Sequence, residues 1–253
     1  MNRRLYALHR WLSAIALVQL AIWVGTGLFF AAVPLAQVKG TPAKGANSFP
    51  ITVDETLVPI ESVVRQLQSQ GNVERVELVG TSRGPMYRCK VGGRRLRIDA
   101  RSGREAPVDS AEAEEIARND QPGRPAVSAV TRVEKDPDIE YRSLPLPAWR
   151  VELADDARTV VYVDASTSEV TARRNDLWRV YDFLWSLHIM DYRERDSFNH
   201  PLLVGAAALG CLTVVSGAVL WGVRIVRRAR RSNDPRGNRA SQRRKEAERT
   251  TVR

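Results

Sequence analysis

Trp11-Leu-Ser-Ala-Ile-Ala-Leu-Val-Gln-Leu-Ala-Ile-Trp-Val-Gly-Thr-Gly-Leu-Phe-Phe-Ala-Ala-Val-Pro-Leu35 runs for 25 residues without a charge, and Pro201-Leu-Leu-Val-Gly-Ala-Ala-Ala-Leu-Gly-Cys-Leu-Thr-Val-Val-Ser-Gly-Ala-Val-Leu-Trp-Gly-Val223 repeats that character near the other end. A helix rising about 1.5 Å per residue needs roughly 20 apolar residues to cross a hydrocarbon core about 30 Å thick. Both stretches are long enough, so the layout predicts two transmembrane helices enclosing a polar central segment.

The flanking charge sets the expected orientation. Arg3, Arg4 and Arg10 precede the first stretch with no acid among them, and twelve basic residues follow the second against Asp234, Glu246 and Glu248. Basic flanks stay on the cytoplasmic side. The net charge of +10 therefore sits on the two flanks, while the central segment is close to neutral. The high pI reads as a topology signal and not as a nucleic-acid signature; no nucleic acid is expected as a partner. Both termini are expected in the cytoplasm and the central domain in the periplasm of a bacterial inner membrane. A cleaved signal peptide is the alternative for the first stretch. Its apolar run is longer than the usual 7 to 15 residues, and no strong small-residue cleavage site follows. Cys89 in the central domain and Cys211 within the second span leave no sensible intramolecular disulfide.

The central segment reads as two copies of one unit. After a Gly, Pro and Lys linker, Ile60, Val63, Val64 and Leu67 recur at helical spacing within Thr56 to Gln70, with Pro59 tolerable in the first turn and Gly71 as the stop. Alternation follows in Val76 and Leu78, in Tyr87, Cys89 and Val91, and after a Gly92-Gly93 turn in Leu96 and Ile98. Met86-Tyr-Arg-Cys-Lys-Val leads to Leu96-Arg-Ile-Asp99-Ala, just as Ala148-Trp-Arg-Val-Glu-Leu leads to Val161-Tyr-Val-Asp164-Ala. Each copy closes on an Asp whose side chain can bond the backbone two residues on. The second helix is expected over Ser110 to Arg118, capped by Asp109 or Ser110, with Lys135 to Pro147 as a long loop.

These stretches together resemble the PepSY-associated transmembrane family. Leu8-His9-Arg10-Trp11-Leu12 through Gly25-Thr26-Gly27 is similar to that family's first span. The two helix-and-strand repeats ending at Asp99 and Asp164 resemble PepSY modules. Trp178 to Tyr192, with His188 within it, then Phe198-Asn-His200-Pro-Leu and Ser216-Gly217, resemble the segment before and within the later span. The resemblance implies an α+β chain of two transmembrane helices flanking an extracytoplasmic domain of two tandem PepSY-like helix-plus-antiparallel-sheet modules. The expected order is a cytoplasmic terminus over 1–10, a span over 11–36, a linker over 37–48, and modules over 49–108 and 109–175. An aromatic interfacial helix and turn over 176–200, a span over 201–224 and a basic disordered tail over 225–253 complete it. The family also implies two functions: modulation of a partner such as a peptidase, or haem-borne reduction in iron and siderophore uptake. Its larger reductase members have more spans than two.

Only three histidines are present, and all lie at the boundaries of the spans. His9 and His200 open different spans on opposite sides, separated by roughly 35 Å of helix. They cannot share one iron. His188 and His200 lie on one side, twelve residues apart, with Met190 as an alternative axial ligand. The candidate cofactor-binding residues are thus His9, His188, His200 and Met190, the cofactor haem b. A homodimer would bring two copies of His9 together. The opposing reading makes His9 and the surrounding aromatics ordinary interfacial side chains.

Other features carry less. Gln19 reads as a packing amide, and Ala206, Gly210, Thr213 and Gly217 as a close-contact stripe. Glu112, Glu114 and Glu115 read as a solvated helix face; Arg94, Arg95, Arg97 and Arg101 read as an anion site or as exposed strand charges. No HExxH, G-x-S-x-G, C-x-x-C, P-loop or G-x-G-x-x-G occurs. Catalysis of the hydrolytic, flavin or nicotinamide kinds is not expected, and no metal site is. The tail reads as attracted to anionic lipid. Expected partners are the bilayer and a membrane or periplasmic protein.

Overall fold

A computed structural model describes residues 3–40, 47, 49–51 and 56–232. The expected linker beyond Gly40 lies outside them apart from Asn47, as does the expected tail beyond Ser232. The described chain is α+β, with two long apolar helices at its ends and two small antiparallel sheets with helices between them. It divides into two compact units, 1–27 with 187–253, and 28–186.

The first unit is built on two helices, α1 (Arg3–Ala32) and α6 (Pro201–Ser232), the latter eight residues longer than the span expected over 201–224. Both are long and apolar enough to cross a membrane. On α1 the residues His9, Ser13, Ala16, Gln19, Trp23 and Thr26 recur at three- and four-residue spacing, and Ala16 and Thr26 are buried. Ile15, Leu17, Val18, Val24 and Leu28 are exposed, each above 60 %. Polar side chains inside and large apolar ones outside reverse the order of a soluble helix and suit a hydrocarbon solvent. The features together suggest a membrane protein.

In the second unit Pro34 ends the long helix, and a short turn of helix, α2 (Leu35–Val38), follows. The first module comprises α3 (Ile60–Gln68) and a sheet of β1 (Val73–Thr81), β2 (Gly84–Val91) and β3 (Arg94–Asp99) in that order. The helix starts later than Thr56 because Pro59 takes the N-cap position and does not enter the first turn. Val63 and Leu67 cover one sheet face formed by Tyr87, Cys89, Val91, Leu96 and Ile98. Burial pushes the Cys89 thiol up to about 11. At pH 8 only roughly a thousandth of it is thiolate, so a maleimide is expected to label Cys89 only after denaturant exposes it. Equal labelling rates in native and denatured protein would refute that.

The second module comprises α4 (Ser110–Asp120) and a sheet ordered β4 (Val127–Val133), β5 (Ala148–Leu153), β6 (Val160–Asp164), β7 (Val170–Arg174). Asp109 caps α4, accepting the Glu112 N–H at 2.8 Å. Ala113, Ile116 and Ala117 pack on Val151, Leu153, Val161 and Val163. The loop after β4 covers the opposite face, where the Tyr141 ring stacks on Tyr162 at 4.4 Å. Helix α5 (Asp176–Ile189) then leads out of the module.

The repeat extends to individual bonds. Ala100 N–H donates to the Pro85 carbonyl, and Ala165 N–H to that of Pro147. Val58 N–H donates to Ala100 O, and Val108 N–H to Ala165 O. Tyr87 Oη donates to Val58 O and Trp149 Nε1 to Val108 O, both at 2.8 Å. One Oδ1 of Asp99 accepts from Arg101 and Ser102 N–H, and one of Asp164 from Ser166 and Thr167 N–H.

Candidate functional site

The histidines occupy two ends of the first unit. His9 Nδ1 lies 2.7 Å from Ser216 Oγ, and that hydroxyl donates its one proton to Thr213 O at 2.9 Å. Ser216 must therefore accept, which places a proton on His9 Nδ1 and the lone pair on Nε2, 3.4 Å from Ser13 Oγ. His188 repeats the arrangement. Its Nδ1 lies 2.7 Å from Thr26 Oγ1, whose proton goes to Ile22 O at 2.7 Å. The His188 Nε2 consequently carries the lone pair as well. Trp23 Nε1 donates to His188 O at 2.8 Å and fixes the backbone. Protonation at Nδ1 with the lone pair on Nε2 is one of the two tautomers in which an imidazole can ligate a metal, and in His9 that lone pair faces the Ser13 hydroxyl.

His200 differs. Its Nε2 lies 2.9 Å from the Ile189 carbonyl, which can only accept, so Nε2 bears the proton. Its Nδ1 faces the Leu203 N–H at 3.5 Å, in the manner of an N-cap for α6. Met190 sits at the end of α5 with φ of +58°. The pairing of His188 with His200 expected from sequence is thus a backbone relation through Ile189, in which the two rings carry opposite tautomers. His9 is roughly 26 Å along α1 from the Thr26 that anchors His188. Gly217 allows His9 its place: a Cβ there would meet His9 Cε1 at 3.1 Å. Gln19 Nε2 is buried with no hydrogen-bond partner among the described residues.

Between α5 and α6 the Asp191 carboxylate accepts the N–H groups of Arg193, Glu194, Asp196 and Ser197. The Ser197 N–H above all, joined by those of Glu194, Arg193 and Asp196 and opposed by burial, holds this carboxyl below its ordinary value. Its stabilisation is fully present above the unfolded value of about 3.9 and is lost as pH falls through the folded value. Amide exchange at 193–197 is expected to stay slow at pH 5 and to quicken, after correction for intrinsic rates, only below about pH 4. An unchanged protection at pH 3 would overturn this.

In the second unit the two modules meet through charge. Arg97 and Glu112, each 2 % exposed, form a bidentate pair with both bonds at 2.7 Å. Arg95 lies 2.5 Å from the buried Asp164, and Arg88 donates to Thr167 O at 2.7 Å and faces Glu169 at 3.3 Å. This corrects two expectations. Glu112 is an interface residue and not part of a solvated face, and Arg95 and Arg97 have their anions in the same chain. Alternation puts Arg88, Arg95 and Arg97 on the sheet face opposite α3, where Arg97 is buried against Glu112 of α4 and the half-buried Arg88 and Arg95 meet the turn after β6. Beside the interface a cleft of about 520 Å³ is lined by Arg88, Leu144, Pro145, Ser168, Val170 and Arg173, among others. Arg173 is bound bidentately to Asp120, both bonds at 2.5 Å. Among the described residues no group of three or more His, Cys, Asp and Glu side chains is placed to hold a metal ion.

The sequence did not single out Glu112 as a pairing residue, nor the strands β4 and β7. The alternation of Ala129, Thr131 and Val133 was a usable signal for β4. Thr26 and Ser216 serve as hydroxyl anchors for the two imidazoles. Compared with known protein families, with curated proteins and with solved structures, the chain matches none.

Proposed function

We propose that this chain is a membrane-anchored PepSY-like protein that binds and modulates a protein partner outside the cytoplasm. Its basic flanks support an orientation with both termini in the cytoplasm of a bacterial inner membrane and the tandem modules in the periplasm. The observation that supports the reading is the buried Arg97–Glu112 pair with its satellites at Arg95 and Arg88, which joins two like modules to each other. An accessory role in iron or siderophore uptake follows from the family resemblance. A photo-crosslinking residue placed in turn at exposed positions such as Glu77 and Thr131 in living cells is the test. A discrete adduct with one periplasmic or membrane protein, accompanied by a growth defect of a deletion strain under iron limitation, is expected. The absence of any adduct at every position would retire the reading.

A second reading, a haem-carrying electron-transfer subunit, is favoured by the hydroxyl-anchored imidazoles. His9 and His188 fit such a group by tautomer, while His200 is held as a helix cap. Haem b, when bound, supplies one-electron chemistry. Each end of the unit offers one such imidazole, so a second copy of the chain supplies the other axial ligand in this reading. Oxidised and dithionite-reduced visible spectra of the purified protein decide. A Soret band lost in His188→Ala and kept in His200→Ala supports the reading, and a featureless spectrum at full haem supply ends it.

A further inference from the structure

Edge strand β7 carries outward backbone groups directly into the cleft. Leu153 N–H donates to Thr159 O, which makes this a hydrogen-bonded pair of the β5–β6 hairpin. Antiparallel pairs alternate, so Val161 and Val163 face β5 while Val160 and Tyr162 face β7. Through the register Tyr162 to Ala172 and Val160 to Arg174, those two β7 residues bond inward. Arg173 between them turns its N–H and C=O away from the sheet, the C=O accepting from Arg174 Nη1 at 3.1 Å. The irregularity between Tyr162 and Val163 takes up one residue, and Val170 on its far side also points outward, since Glu169 O accepts inward from Asp164 N–H. Val170 and Arg173 line the cleft together with Asn47, Gly40 lies against the Arg173 side chain, and among the described residues no strand pairs with β7 on that side.

The other open edges are guarded differently. Strand β1 is studded with exposed Glu74, Arg75 and Glu77, and β4 with exposed Ser128, Thr131 and Arg132. Charge along an edge discourages pairing. At β7 the two cations of the cleft are already matched, Arg173 by Asp120 and Arg88 by Glu169. The cleft thus offers an incoming anion no uncompensated charge, whereas Leu144 and Pro145 supply an apolar wall. Backbone donors and acceptors beside an apolar wall, with local charge cancelled, suit an extended peptide.

We propose that the β7 cleft takes an extended, charge-balanced peptide segment of a partner protein as an added strand, with an apolar side chain set against Leu144 and Pro145. The proposal rests on the partner-binding reading above and assigns it a site. A phage library of random nonapeptides, panned on the full chain in nanodiscs, supplies the probes. Enriched peptides are expected to slow amide exchange at Val170 and Arg173 in the unaltered chain. Val170→Pro, which removes one outward N–H at an edge position that tolerates proline, is expected to weaken them roughly tenfold or more. Protection confined to β1 or β4 would overturn the β7 assignment while leaving partner binding standing. Failure to enrich any peptide would count against both. Equal protection of the same amides by millimolar phosphate or citrate would make the cleft an anion site and overturn the proposal.

Discussion

Glu112→Ala will destabilise the second unit by about 3–5 kcal/mol, the usual cost of leaving one partner of a buried ion pair without the other. Arg97 would keep its bond from Nε to Ala106 O at 2.8 Å, but both Nη groups would lose the carboxylate they now share in a space almost closed to water. Urea unfolding of the full chain in detergent, followed by tryptophan fluorescence, measures the loss. The paired replacement Arg97→Met with Glu112→Met is expected to recover most of it, because two apolar side chains of similar reach leave no charge stranded. If Glu112→Ala shifts the midpoint no more than an exposed Glu77→Ala does, the pair is not what joins the modules.

The second large effect falls on one of the two repeated aspartates and not on its counterpart. Asp164→Ala removes two turn N–H bonds from a buried carboxylate and the contact with the half-buried Arg95, whose guanidinium lies 2.5 Å away, at an expected cost of about 2–3 kcal/mol. Asp99→Ala removes the same pair of turn bonds at a solvated site and is expected to cost about 1 kcal/mol. Burial alone would raise the Asp99 carboxyl, yet Ser102 and Arg101 hold it below its ordinary value. Its small contribution is therefore present at neutral pH and is lost as pH falls through the folded value. Equal losses for the two variants would mean that the Arg95 contact is energetically idle.

The spans and repeats were legible because hydropathy and period are local properties. Ile60, Val63 and Leu67 announce a helix face without knowledge of what they pack against, and Met86 to Val91 announces a strand through alternation. The interface was not legible for the same reason. Arg97 and Glu112 each look like ordinary surface charge in their own elements, and only the docking of one module on the other removes them from water. The histidines fall between these cases. Their positions at the ends of the spans were readable, whereas the tautomers depend on where the Thr26 and Ser216 hydroxyl protons go, which is a property of helices already packed.

The position of Arg97 in the first copy is held by Tyr162 in the second, and that of Arg88 by Arg150. The first copy turns this sheet face toward its neighbour. In the second copy the loop from Lys135 to Pro147 lies over the equivalent face, with Tyr141 on Tyr162 and Asp138 facing Arg150. The loop stands where a third repeat would dock. Tandem arrays of like units can grow until something blunts the last surface, and here the terminator is built into the second unit itself. A further unit of the same kind could dock on that face only by displacing the loop that covers it, with the Tyr141–Tyr162 stack and the Asp138–Arg150 contact.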